Sequence, residues 1–160
     1  MRDLWNREID YIRISVTDRC NLRCVYCMPE EGIESISHDR ILTFDEIARI
    51  CRVMAQSGLK KIKLTGGEPL IRRGIVSLVR QLKEVPGIEQ VTLTTNGILL
   101  EEMADDLVSS GIDAVTVSLD TLDRERFRQM TRRDELPRVL EGIRAMRRHP
   151  QIPLKINCLL

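Results

Sequence analysis

Residues Lys61 to Gly97 read KIKLTGGEPLIRRGIVSLVRQLKEVPGIEQVTLTTNG, and their pattern decides the fold. Ile62 and Leu64 alternate with polar residues in a short run, Lys61 to Thr65, which stops at Gly66-Gly67-Glu68-Pro69. Ile75, Leu78, Val79 and Leu82 then recur at helical spacing as far as Pro86-Gly87. Gln90 to Thr95 is a second run rich in Val, Leu and Thr. A strand, a helix and a second strand in so short a span make a right-handed βαβ unit with parallel strands.

The alternation extends both ways. Upstream, Tyr11 to Val16 reads as a strand, and Thr43 and Glu46 form a Thr-x-x-Glu capping box ahead of Ile47, Ile50, Cys51 and Met54, with Gly58 as the stop. Downstream, Leu100, Met103, Ala104, Leu107 and Val108 form a helix ending at Gly111, and Ala114 to Leu119 a strand. Two helices follow, Asp123 to Met130 and Arg138 to Arg148, with Pro137 near the start of the second, and Leu154 to Leu159 is a fifth strand. This is an α/β pattern with a parallel sheet, either open or part of a barrel. No Pro/Gly/Ser-rich linker interrupts it, so residues 1–160 are expected to form one domain.

Composition narrows the partners. With 25 basic against 24 acidic side chains the net charge is +1, which gives no long-range pull toward nucleic acid or an anionic membrane. No run approaches the roughly 20 apolar residues that span a bilayer, and the start lacks the apolar stretch of a secretory signal. A cytoplasmic protein without nucleic-acid or membrane partners is expected. Five cysteines, three of them between Cys20 and Cys27, point to metal before disulfide in that compartment.

Parallel α/β folds collect ligand chemistry at the carboxyl ends of their strands. Those ends here carry Thr17-Asp18-Arg19-Cys20, Gly66-Gly67-Glu68-Pro69, Thr94-Thr95-Asn96-Gly97 and Ser118-Leu119-Asp120. In the first, Cys20, Cys24 and Cys27 have the spacing C-x-x-x-C-x-x-C with no fourth cysteine nearby. Three thiolates on a 4Fe-4S cube leave one iron open to a small chelating molecule. A structural zinc site and three unrelated core cysteines are the alternatives, and zinc lacks a fourth ligand close by.

With Tyr26 before the last cysteine and Gly66-Gly67-Glu68-Pro69 after the second strand, the chain resembles the radical S-adenosylmethionine (SAM) superfamily. Within it, Arg13 to Pro29, Leu42 to Glu46, Lys63 to Leu70, Leu93 to Gly97 and Val117 to Asp120 are similar to the amino-terminal region of the GTP 3',8-cyclases of molybdenum cofactor biosynthesis, the MoaA family. The resemblance implies a partial TIM-like (βα) barrel with five of six strand–helix units present. It further implies a carboxyl-terminal region, absent here, holding a second 4Fe-4S cluster. The 160-residue chain alone is then expected to cleave SAM poorly and to leave GTP uncyclised.

The resemblance also implies the site. Cys20, Cys24 and Cys27 bind the cluster, and SAM chelates its open iron. Tyr26, Gly67 and Ser118 match SAM-contacting positions, and Arg13, Lys63, Thr94 and Lys155 match GTP-contacting ones. Gly66 and Gly67 let a backbone approach a ligand closely, and Glu68 can accept from an ammonium group. The reduced cluster cleaves SAM to a 5'-deoxyadenosyl radical, which takes the C3' hydrogen of GTP before that carbon attacks C8. No catalytic side chain is assigned, because the radical forms on SAM. A reductant protein such as flavodoxin or ferredoxin is implied, and a homodimer is left open. Cys51, on an apolar helix face, and Cys158, in a strand, read as core residues. Asn96 and Asp120 either orient ligands or serve turns.

Overall fold

In the computed structural model, which describes residues 2–34 and 36–159, five parallel strands form one open sheet. They are β1 (Tyr11–Ser15), β2 (Lys61–Thr65), β3 (Gln90–Thr95), β4 (Ala114–Ser118) and β5 (Leu154–Asn157). Each matches an expected strand, and β1, β4 and β5 stop one or two residues early, where the chain turns into the rim loops.

The helices are α1 (Phe44–Gln56), α2 (Ile75–Lys83), α3 (Leu100–Ser109), α4 (Arg124–Thr131) and α5 (Leu136–Arg147). The capping box of α1 forms as read: the Thr43 hydroxyl accepts from the Glu46 N–H at 3.2 Å, and the Glu46 carboxylate accepts from the Thr43 N–H at 2.7 Å. Gly58 and Gly111 end α1 and α3 with φ of 98° and 88°, a left-handed turn that costs other residues more. α5 begins two residues before the expected Arg138, since Pro137 fits the first turn, where no N–H is needed.

The strands lie side by side in the order β1-β2-β3-β4-β5, so each crossover steps one strand along in the same direction. Right-handed crossovers of that kind place every helix on one face of the sheet, and α1, α2, α3 and α5 pack as successive neighbours there. A doubly wound sheet reverses its growth midway and covers both faces. This one never reverses, which is the architecture of a partial (βα) barrel.

Burial follows. Ile62, Leu64, Val91, Leu93, Val115 and Val117 point at the helices and are at most 1% exposed. The residues between them, on the inward face, are Arg13 and Ser15 of β1, Lys63 and Thr65 of β2, Thr92 and Thr94 of β3, Thr116 and Ser118 of β4, and Lys155 of β5. Parallel strands covered on both faces are apolar throughout, whereas these alternate. The sheet therefore keeps a polar concave face, with the rim loops above it.

Candidate functional site

The loop after β1 carries the three cysteines and is held from two sides. On one side the β1–β2 pairing continues past the strands: Val16 N–H donates to Thr65 O at 2.9 Å, Gly67 N–H to Thr17 O at 2.7 Å and Glu68 N–H to Arg19 O at 2.7 Å. Only glycines permit this approach. A Cβ on Gly66 would lie 2.7 Å from the Thr17 carbonyl oxygen, and one on Gly67 would lie 2.1 Å from that of Arg19. The close backbone approach expected of the glycine pair is thus made, at least in part, by the segment leading to Cys20.

On the other side, the loop hangs from the end of α4. Arg23 N–H donates to Thr131 O at 3.0 Å and Val25 N–H to Met130 O at 2.8 Å. The Arg132 guanidinium grips the carbonyls of Arg23 and Met28 at 2.9 and 3.2 Å. Between these anchors Cys27 N–H and Met28 N–H both fold back onto Cys24 O.

All three thiols are free; Cys20 and Cys24 are half-buried and Cys27 is exposed. Burial pushes the Cys20 thiol above its ordinary pKa, against the pull of the Leu22 N–H, with the Glu68 carboxylate and Cys27 raising it further and the Asn96 amide lowering it. Burial also raises Cys24, and the charges of Cys20 and Cys27 add to it. Among the described residues no three His, Cys, Asp or Glu side chains close around a single ion. Three free thiols on one short loop are the soft donors that an iron–sulfur cube takes, one iron to each thiolate. Iron would also take up the charge that burial resists.

Two clefts flank the loop. One, of about 450 Å³, is lined by Asp18, Arg19, Cys20, Asn21 and Arg23. The other lies between Cys24, Tyr26, Asn96, Ser118 and Asp120. In it the Tyr26 hydroxyl donates to the Asp120 carboxylate at 2.6 Å, and the other Asp120 oxygen accepts from the Leu159 N–H at 2.8 Å. Burial first, then that carboxylate, push the Tyr26 phenol far up, so it stays a donor.

Glu68 is turned inward and is 1% exposed. Its oxygens accept from Leu70 N–H at 3.0 Å, the Thr95 hydroxyl at 2.7 Å and Asn96 N–H at 2.7 Å. Burial raises its pKa while those donors lower it. The ammonium-accepting role read from the sequence thus meets a carboxylate already engaged inside the protein, bracing the end of β3.

Arg13, Lys63, Thr94 and Lys155 all fall on the inward face, in two adjoining rows. Arg13 pairs in register with Lys63, and one step nearer the rim Thr94 pairs with Thr116, and Thr116 with Lys155. None of the three cations has an ion-pair partner among the described residues, whereas Lys61 on the same strand is paired to Asp10 at 2.8 Å. Ser118 ends the β4 row at the rim.

Cys51 is fully buried, as read, and its thiol is pushed up to about 11 by burial. Cys158 is not a core residue: it is exposed just beyond β5, its sulfur 3.5 Å from the Asp120 carbonyl oxygen. The core reading fails because the chain has left the sheet by that point. The sequence left Asn96 and Asp120 undecided, and gave no sign of Arg132.

Comparison with known proteins agrees with this geometry. The radical SAM superfamily profile matches residues 14–160. The GTP 3',8-cyclase of Pelotomaculum thermopropionicum is 50% identical over 160 residues, covering 100% of this chain and 49% of the relative. That of Geobacter sulfurreducens is 49% identical over 158 residues, covering 99% and 48%. The chain thus spans about half the length of the curated relatives it matches. Among solved structures, Streptococcus suis SuiB bound to S-adenosylmethionine superposes with a TM-score of 0.77 at 22% identity, over 93% of this chain and 33% of that one. Native anSMEcpe with bound AdoMet gives 0.72 at 18%, over 92% and 43%. With its three-cysteine loop, its one-sided parallel sheet and a profile match over nearly its whole length, the chain belongs to the radical SAM superfamily, whose members use a 4Fe-4S cluster and SAM.

Proposed function

We propose that this chain is the SAM- and nucleotide-binding core of a GTP 3',8-cyclase, a lyase that converts GTP to 3',8-cyclo-7,8-dihydro-GTP in molybdenum cofactor biosynthesis. The observation that carries the reading is the placement of Arg13, Lys63 and Lys155, three cations without acidic partners among the described residues, on the concave face below the cysteine rim. A triphosphate is the chemistry that three such cations accept. The half-length match to GTP 3',8-cyclases supports the substrate.

Cys20, Cys24 and Cys27 would hold the cluster. When bound and reduced, it supplies the electron that cleaves SAM to methionine and a 5'-deoxyadenosyl radical. The chain's own residues do the rest by placement. Tyr26, held by Asp120, and Ser118 line the narrow cleft beside Cys24, which we take as one edge of the SAM site, and Gly66 and Gly67 set the cysteine loop. Glu68 acts from beneath, through Asn96. Thr94 stands on the inward face, one step nearer the rim than the Lys63 row. We place the protein in the cytoplasm; among the described residues no helix is long and apolar enough to cross a membrane. A small iron–sulfur or flavin protein is the reductant this chemistry requires.

The test is anaerobic reconstitution followed by dithionite, SAM and GTP, with 5'-deoxyadenosine and the cyclic nucleotide read by mass spectrometry and GTP binding read separately. Binding of GTP that is lost in Lys63→Ala supports the reading even where turnover is slow. SAM cleavage without any GTP binding would instead make the protein a radical SAM enzyme for another substrate.

A further inference from the structure

The segment Thr94-Thr95-Asn96-Gly97 stands at the rim, and of its residues only Thr94 is matched to a ligand above. Asn96 is fixed at three points. Its backbone N–H donates to the buried Glu68 carboxylate at 2.7 Å, and its side-chain Oδ1 accepts from the Ile98 N–H at 3.1 Å. That second bond decides which way the amide lies, so Nδ2 faces the cysteine loop. There it reaches Asn21 Oδ1 at 2.7 Å and Cys20 Sγ at 3.9 Å. Thr95 braces the same turn: its hydroxyl donates to Glu68 at 2.7 Å and accepts from the Gly97 N–H at 3.0 Å.

We infer that Asn96 is a positioning residue for the cluster, its amide donating to the Cys20 sulfur and favouring the reduced state. A one-electron reduction adds negative charge to the cube and its sulfurs. A fixed N–H donor stabilises that charge more than it stabilises the oxidised state, so the potential rises. Among the described residues Cys20 Sγ has one other donor, the Leu22 N–H at 3.4 Å. Of the two donors to that sulfur among the described residues, Asn96 is the one supplied from outside the loop. Glu68, buried between β2 and β3, reaches the cluster through it.

The inference rests on Cys20 as a ligand, and the test separates the two. Wild-type protein, Asn96→Leu and Asn96→Asp are reconstituted, matched for iron and sulfide per chain, and titrated while the paramagnetic signal of the reduced cluster is followed. At one fixed solution potential the reduced-to-oxidised ratio should fall about threefold to tenfold in Asn96→Leu, the scale of one hydrogen bond. It should fall further in Asn96→Asp, where a carboxylate replaces the donor. An unchanged midpoint in both variants overturns the inference. So does loss of the cluster from both with the apo fold intact, which would make Asn96 an assembly residue. If only the Leu variant fails to load, the Asp variant decides. Cys20→Ser runs alongside. A full cluster there refutes the ligand assignment, while cluster loss there with unchanged Asn96 midpoints refutes this inference alone.

Discussion

The two faces of the sheet follow opposite rules. On the helix side, Ile62, Leu64, Val91, Leu93, Val115 and Val117 are buried in one continuous core. On the concave side the same strands present Arg13, Lys63, Thr92, Thr94, Thr116 and Lys155, none of them fully buried. Residues one apart on a strand thus serve stability and ligand chemistry separately. A change on one face should therefore move folding, and a change on the other should move binding.

The largest contrast lies among the cysteines. Cys24→Ser should abolish the reconstituted cluster, while Cys51→Ser should keep it, because Cys51 is packed on the helix side. Iron and sulfide per chain, with the visible absorption spectrum, check both. The reverse result would dissolve the division between the faces.

Next come the strand residues. Leu93→Ala removes a side chain with 0% exposure and should lower unfolding free energy by about 2–5 kcal/mol. Thr94→Val, its neighbour on the other face, should change stability by less than about 1 kcal/mol and weaken GTP binding. Urea titrations of the two apo proteins measure the first effect and nucleotide binding the second.

Gly67→Ala tests where the faces meet. A Cβ there falls 2.1 Å from the Arg19 carbonyl oxygen, so the segment entering the cysteine loop must shift. Stability should drop by about 1–3 kcal/mol, the scale of overpacking, and SAM should perturb the reduced-cluster spectrum less than in wild type. A normal SAM titration would detach the glycine pair from the site.

Much of this division was legible in the sequence, because strand alternation and helix caps are local. Lys61 to Thr65 displays its two faces by period alone, and Thr43 and Glu46 announce α1. The cysteine spacing and the glycine pair were equally plain. What could not be read depends on partners distant in the chain. Glu68 looked like a ligand group, and its inward turn is set by Thr95 and Asn96. The tightness at Gly67 is set by Arg19, and the hold on the loop by Arg132, 109 residues from the Arg23 carbonyl it grips. Cys158 was assigned by how often cysteines are buried, a statistic blind to where β5 stops.

The smallest predicted effect is the most direct measure of what the concave face costs. Arg13 and Lys63 are register partners on adjacent strands, both positive, and among the described residues neither is in an ion pair. Like charges directly opposite each other destabilise a sheet, by about 0.2–1 kcal/mol on the scale of cross-strand pairs. Lys63→Met keeps most of the apolar stem and removes the charge. The apo variant should therefore be as stable as wild type or more stable by that amount, in a low-salt urea titration. Raising the salt should erase the difference, since screening relieves the repulsion in the wild type. Inorganic tripolyphosphate should do the same at much lower concentration by binding between the cations, and it should stabilise Lys63→Met less. If Lys63→Met is instead the less stable protein at every salt concentration, Lys63 is part of the packing of the sheet, and the concave face is not a set of charges kept open for a ligand.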